Sequence, residues 1–143
     1  MTILHLRINS NNQNITLSKE LKAQKMTLLR ATISKDTGGG GGIYNGTLFF
    51  DIDFLSGFEY VSNLNNNYLM VPISEETTES LQTYQMNQQM DSEDVKQSFN
   101  VKTFILNNNN TYTPAPLGSG SGVVIYCDLY FQISQLENYN NNY

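Results

Sequence analysis

Asp51 and Asp53 are the pair of residues best spaced to do chemistry. They stand two apart in an apolar run, so on a strand both carboxylates leave the same face. Two carboxylates so placed can hold a hard cation or divide acid and base roles between them. A calcium site needs about six or more oxygen ligands, and no Asp-x-Asp-x-Asp-Gly loop follows here. The pair therefore reads as a polar, solvent-facing row with Phe49 on the same face, and no metal is expected. The unbroken glycine run at 38–42 lacks the Lys-Ser/Thr ending and the following helix of a phosphate-binding loop, because Ile43, Tyr44, Asn45 and Gly46 lead into a strand pattern. Residues 117–122 have a spacing like Gly-x-Ser-x-Gly but no strand-to-helix context and no histidine downstream. They read as a turn or hinge. His5 is the only histidine and Cys127 the only cysteine, so no catalytic triad or Cys-His pair is in prospect. His5 reads as a surface residue and Cys127 as a buried, inert thiol. The chain is expected not to be an enzyme and to need no cofactor.

The elements that would position these groups are strands. The clearest runs from Val123 to Ile133. Val123, Ile125, Cys127, Leu129, Phe131 and Ile133 form one face, and Val124, Tyr126, Asp128, Tyr130 and Gln132 the other. Such period-2 alternation, rich in β-branched and aromatic types, marks a strand of an antiparallel sheet packed on one side. Leu4, Leu6 and Ile8 alternate with His5 and Arg7. Thr27, Leu29, Ala31 and Ile33 alternate with Leu28, Arg30 and Thr32. Leu48, Phe50, Ile52 and Phe54 alternate with Phe49, Asp51 and Asp53, and Phe99, Val101, Thr103 and Ile105 with Asn100, Lys102 and Phe104. Shorter candidates lie at 14–17, 58–61 and 68–73. Counted together these are about eight strands, separated by Asn, Gly, Ser and Pro clusters. The glycine run and residues 107–122 read as flexible loops.

Residues 74–97 break this pattern. They are rich in Gln, Glu and Met and poor in β-branched types, which predicts a short helical insertion with Ser74 or Thr77 as its cap. A further strand around 81–86 is the alternative.

Composition bounds the rest. At 143 residues the chain suits one domain with one core: a single β-sandwich over 1–136 and a flexible C-terminal tail at 137–143. Charged residues make up 15%, against a typical share of roughly 25%, and Asn fills much of the difference. The net charge of −5 argues against nucleic-acid or anionic-membrane partners, which call for a basic surface. No apolar run approaches the roughly 18 residues of a membrane span. Met1 to Leu6 carry no apolar core of a signal peptide. Nine tyrosines and seven phenylalanines supply the residue types favoured at protein interfaces. Tyr126 and Tyr130 on the mixed face of the last strand, with Phe49 and Phe104 on faces opposite the expected core, are the candidate interface residues.

The segment Leu4-His5-Leu6-Arg7-Ile8-Asn9-Ser10, followed by an Asn-rich turn and then Met26-Thr27-Leu28-Leu29-Arg30-Ala31-Thr32-Ile33, resembles the start of small single jelly-roll capsid proteins of virophages, Polinton-like viruses and large DNA viruses of protists. The strand from Val123 to Ile133 is similar to their last strand. The resemblance implies an all-β, antiparallel β-sandwich of single jelly-roll type. It also implies a structural virion protein, a penton or minor capsid subunit, assembled in the host cell interior. Its partners would be copies of itself, as a trimer or pentamer, and other capsid proteins. A glycan- or receptor-binding β-sandwich module, using Tyr and Asn in loops, is the alternative.

Overall fold

Alternating apolar residues are buried when strands pair into a sheet and a second sheet covers its apolar face. The computed structural model, which describes residues 2–35, 46–56, 69–73, 81–106, 111–118 and 124–134, achieves this with ten strands. They are β1 (Thr2–Ile8), β2 (Asn12–Thr16), β3 (Lys25–Lys35), β4 (Gly46–Ile52), β5 (Leu55–Ser56), β6 (Leu69–Ile73), β7 (Leu81–Ser92), β8 (Ser98–Leu106), β9 (Tyr112–Pro114) and β10 (Val124–Ser134). The first sheet has the order β1-β10-β3-β7-β5. The second has the order β2-β8-β4-β6, with β9 paired to β8. All pairings between these strands are antiparallel. With the short β5 and β9 set aside, β1-β10-β3-β7 faces β2-β8-β4-β6. The first and last strands are neighbours, and most connections cross from one sheet to the other. This is the strand order of a jelly roll, the double-sheet sandwich of two Greek keys.

The core lies between the sheets. Leu4, Leu6 and Ile8 of β1, Met26, Leu28, Ala31 and Ile33 of β3, and Cys127, Leu129 and Phe131 of β10 pack toward Leu48, Phe50 and Ile52 of β4, Leu69 and Val71 of β6, and Phe99 and Val101 of β8. Phe54, in the turn after β4, joins the sheets at one end. Its ring meets Phe99 edge-on at 4.9 Å and Phe131 at 6.3 Å.

Several expectations need correction. Residues 81–92 form a 12-residue strand where a helical insertion was expected. The alternative strand reading of 81–86 holds and extends to Ser92, while residues 74–80 lie outside the described residues. Strict alternation also fails at two bulges. Between Val124 and Tyr126 the register of β10 on β3 shifts, which turns Val124 into the core at 2% exposure, where Ile125 was expected to point inward. Leu29 of β3 is an extra residue relative to β10 at a second shift, so Met26 and Leu28 face the core instead of Thr27 and Leu29. A bulge of this kind reverses the side-chain parity of all residues beyond it. Residues 107–122 are not wholly loop. β9 lies there, Ala115 is buried, and Gly118 adopts φ 122°, a conformation suited to glycine. The glycine run at 38–42, the candidate strand at 58–61, Tyr68 and the tail at 137–143 lie outside the described residues.

Candidate binding face

The residues that gather polar chemistry come from the first and last strands. β1 pairs with β10 along its whole length, setting His5 opposite Tyr130 and Arg7 opposite Asp128. β3 flanks β10 on its other edge and sets Arg30 opposite Tyr130 and Thr32 opposite Asp128. Directly opposed residues of an antiparallel pair share a face. Because Leu4, Leu6, Leu129 and Phe131 take the inner face, His5, Arg7, Tyr126, Asp128, Tyr130 and Arg30 converge on the outer one.

Their contacts are close. Arg7 grips Asp128 with two hydrogen bonds, Nε to Oδ1 at 2.9 Å and Nη2 to Oδ2 at 2.9 Å. His5 Nε2 lies 2.9 Å from Asp128 Oδ1. The His5 ring stacks on Tyr130, with centroids 4.4 Å apart and planes 7° apart. The guanidinium carbon of Arg7 sits 4.1 Å from the Tyr126 ring centre, and that of Arg30 4.1 Å from the Tyr130 ring centre, both within cation–π range. Thr32 Oγ1 and Thr83 Oγ1 continue the row onto β7 at 3.1 Å. Asp128 is thereby only 3% exposed although it faces away from the core. Burial works to raise its carboxyl pKa, but the hydrogen bonds from Arg7 and His5 and their charges outweigh it and hold the group below the usual carboxylate range. The same carboxylate, chiefly by its hydrogen bonds, raises the Arg7 pKa. Cys127 points the other way, into the core, where burial first and the Asp128 charge second push the thiol pKa up. A thiol so held is a poor nucleophile.

The outer face of the second sheet has two ends. At one, Met70, Phe49, Phe104 and Pro114 stand opposite each other across β6, β4, β8 and β9. Tyr112 meets Phe49 edge-on at 5.3 Å. At the other end Asn100 Nδ2 reaches Asn12 Oδ1 at 2.8 Å and Asn14 Oδ1 at 3.0 Å.

Tyr126, Tyr130 and Phe104 are half-buried on outer faces. Phe49 also faces outward, but at 5% exposure it is covered by this chain's own β9 and its neighbours. It is therefore corrected from an open contact residue to a packing one. Asp51 and Asp53 do not share a strand face, because β4 ends at Ile52. Asp51 stands opposite Lys102. Asp53 lies in the turn, where its Oδ2 accepts the Asn100 backbone N–H at 2.8 Å. Among the described residues no three His, Cys, Asp or Glu are grouped to hold a metal. Among the described residues, two open grooves of about 230 and 290 Å³ lie near the lower end of the roughly 300–1,000 Å³ of small-molecule sites. From residues alone His5 reads as an isolated surface residue and Asp128 has no role. The signal that links them is the complementary pattern His5-x-Arg7 and Asp128-x-Tyr130, legible only once the first and last strands are paired.

The fold and this face define a jelly-roll domain with one charged, aromatic outer sheet surface. No protein-family model, curated protein or solved structure matches the chain.

Proposed function

We propose that the chain is a structural virion protein, a capsid subunit of penton or minor-capsid kind, acting by self-assembly with copies of itself and with other capsid proteins. The strand order β1-β10-β3-β7 against β2-β8-β4-β6 carries this reading. Capsid and lectin domains share that architecture, and the first, third and last strands are those that resemble small capsid proteins. Fold alone does not assign function, and the outer face is what favours the capsid reading. A sugar ring calls for an open aromatic surface to stack on. Here the Tyr130 ring is already taken by His5 and Arg30, and Tyr126 by Arg7. Rigid Tyr and Arg side chains are instead the types enriched at protein interfaces. Light scattering on the full chain at micromolar concentration tests the reading. A trimer or pentamer is expected, with at least one of Tyr126, Tyr130 and Phe104 in the contact. A monomer that persists at high concentration would overturn it in favour of a glycan- or receptor-binding module.

A further inference from the structure

Among the described residues, the outer face of β1, β10 and β3 carries one uncompensated cation, Arg30, in a chain whose net charge is −5. His5, Arg7 and Arg30 stand there, and Asp128 is their one carboxylate neighbour across the paired rows. Arg7 spends Nε and Nη2 on Asp128. Arg30 is exposed and forms no ion pair among the described residues. Its guanidinium is nonetheless held over Tyr130, so binding an anion would cost it little further ordering. The acidic counterpart lies at the end of the sandwich where β4 turns into β5 and the chain passes from β7 to β8. Asp53, Glu93 and Asp94 line the groove of about 230 Å³ there together with Lys96, beside Phe54 and Phe99, and Asp94 is paired with Lys22. Neither Asp53 nor Glu93 forms an ion pair among the described residues, and Glu93 is exposed.

We propose that the Arg30 face of one copy docks on the Glu93 end of a second copy, in a head-to-tail contact repeated around a ring. The inference rests on the self-assembly reading above and names the contact that reading leaves open. A trimer or pentamer, as proposed above, is built from contacts between unlike surfaces, and Arg30 and Glu93 are opposite charges that each lack an ion-pair partner among the described residues. Contacts between unlike surfaces are heterologous and close into rings when the rotation allows.

A charge swap tests this on the full-length chain by sedimentation velocity, with circular dichroism melts as a folding control. Arg30→Glu and Glu93→Arg should each weaken assembly by roughly tenfold or more, since each sets like charges together. The double variant Arg30→Glu/Glu93→Arg should return most of it. Arg30→Gln, which removes charge without adding repulsion, should fall between and keeps the test valid if Arg30→Glu misfolds. Added salt should weaken the wild-type oligomer. If folded Arg30→Glu or Arg30→Gln assembles like wild type, this contact is wrong while self-assembly stands. If both single variants fail and the double does not recover, the pairing of Arg30 with Glu93 is wrong. If the wild type is monomeric, the self-assembly reading falls and this contact with it.

Discussion

The two outer faces of the sandwich solve the same problem with different chemistry. Both belong to sheets whose inner sides are apolar, and both carry side chains that water would otherwise solvate. On the first sheet the solution is ionic: Asp128 is buried by the groups that neutralise it, with Arg7, His5 and the two tyrosines closing over it. On the second sheet it is apolar at one end, where Tyr112 and Phe104 cover Phe49, and amide-based at the other, where Asn100 bridges to β2. The ionic face leaves its two tyrosines half-buried, while the apolar face has closed over Phe49. Sharing the outward direction is thus a weak guide to whether an aromatic residue is available to a partner.

Truncating rings on either face puts that difference to its strongest test. Phe131, fully buried between the sheets, sets the scale: Phe131→Ala should cost about 3–5 kcal/mol in thermal or urea unfolding. Phe49→Ala should approach that cost although Phe49 points away from the core, because it is 5% exposed. Tyr130→Ala on the ionic face should cost far less, about the 0.5–1.5 kcal/mol of an aromatic pair. Equal losses for Phe49→Ala and Tyr130→Ala would mean that the two faces do not differ as described.

Asp128 gives the next effect. Asp128→Asn should cost about 1.5–3 kcal/mol at neutral pH, the worth of hydrogen bonds to a charged group. The native carboxyl titrates below its unfolded value. Its contribution is therefore fully present above the unfolded pKa of roughly 4 and is lost as pH falls through the lower folded value. Wild type should lose stability over that acid range, and Asp128→Asn should lose less. Asp94, also held low by the Ala23 backbone N–H and by Lys22, keeps part of the acid dependence in both proteins. Parallel stability–pH curves for wild type and Asp128→Asn would show that the ion pair adds nothing to folding.

How far these features can be read from residues alone differs by element. β1 and β10 announce themselves because their inner positions are nearly all aliphatic or aromatic. β7 does not. Its twelve residues alternate in burial as strictly as any strand here, but the inward positions are Gln82, Tyr84, Met86, Gln88, Met90 and Ser92. The polar ones are made tolerable by partners, as when Tyr84 donates to Gln82 Oε1 at 2.9 Å and Ser92 Oγ to the Phe54 carbonyl at 3.2 Å. A pattern search that equates inside with apolar finds no period there. β9 is three residues long, too short for periodicity. The Asp128 cluster joins residues more than 120 positions apart, so it exists only after β1 has found β10.

Thr103 offers a smaller effect of opposite sign. Its side chain is fully buried on the inner face of β8, and Oγ1 has no hydrogen-bond partner among the described residues. An unpaired buried hydroxyl costs about 1–3 kcal/mol. Thr103→Val, which keeps the branched shape, should therefore raise stability by about 1 kcal/mol or more, read as a higher unfolding midpoint at unchanged denaturant slope. A loss of stability would mean that the hydroxyl has a partner in solution.

The smallest effect belongs to the amide end of the second sheet. Asn100 Nδ2 has three acceptors in range: Asn12 Oδ1 at 2.8 Å, Asn14 Oδ1 at 3.0 Å and the Gln13 carbonyl at 3.3 Å. A side-chain amide carries two hydrogens, so these bonds are alternatives to one another, and losing any one leaves others to form. The Asn12 and Asn14 side chains are exposed and can turn to water instead. The Asn100 backbone is a separate matter. Its N–H to Asp53 Oδ2 and its carbonyl to the Asp53 N–H survive any side-chain change and hold the turn after β4. Asn100→Ala should therefore cost under about 1 kcal/mol, within the net worth of one hydrogen bond, and well below Asp128→Asn on the opposite face. Asp53→Ala should cost more than Asn100→Ala, because it removes the charged acceptor of the Asn100 backbone N–H. If Asn100→Ala proved as damaging as Asp128→Asn, amide bridging would rank with ionic burial in holding the faces. The charged face would then lose its claim to be the more strongly built of the two.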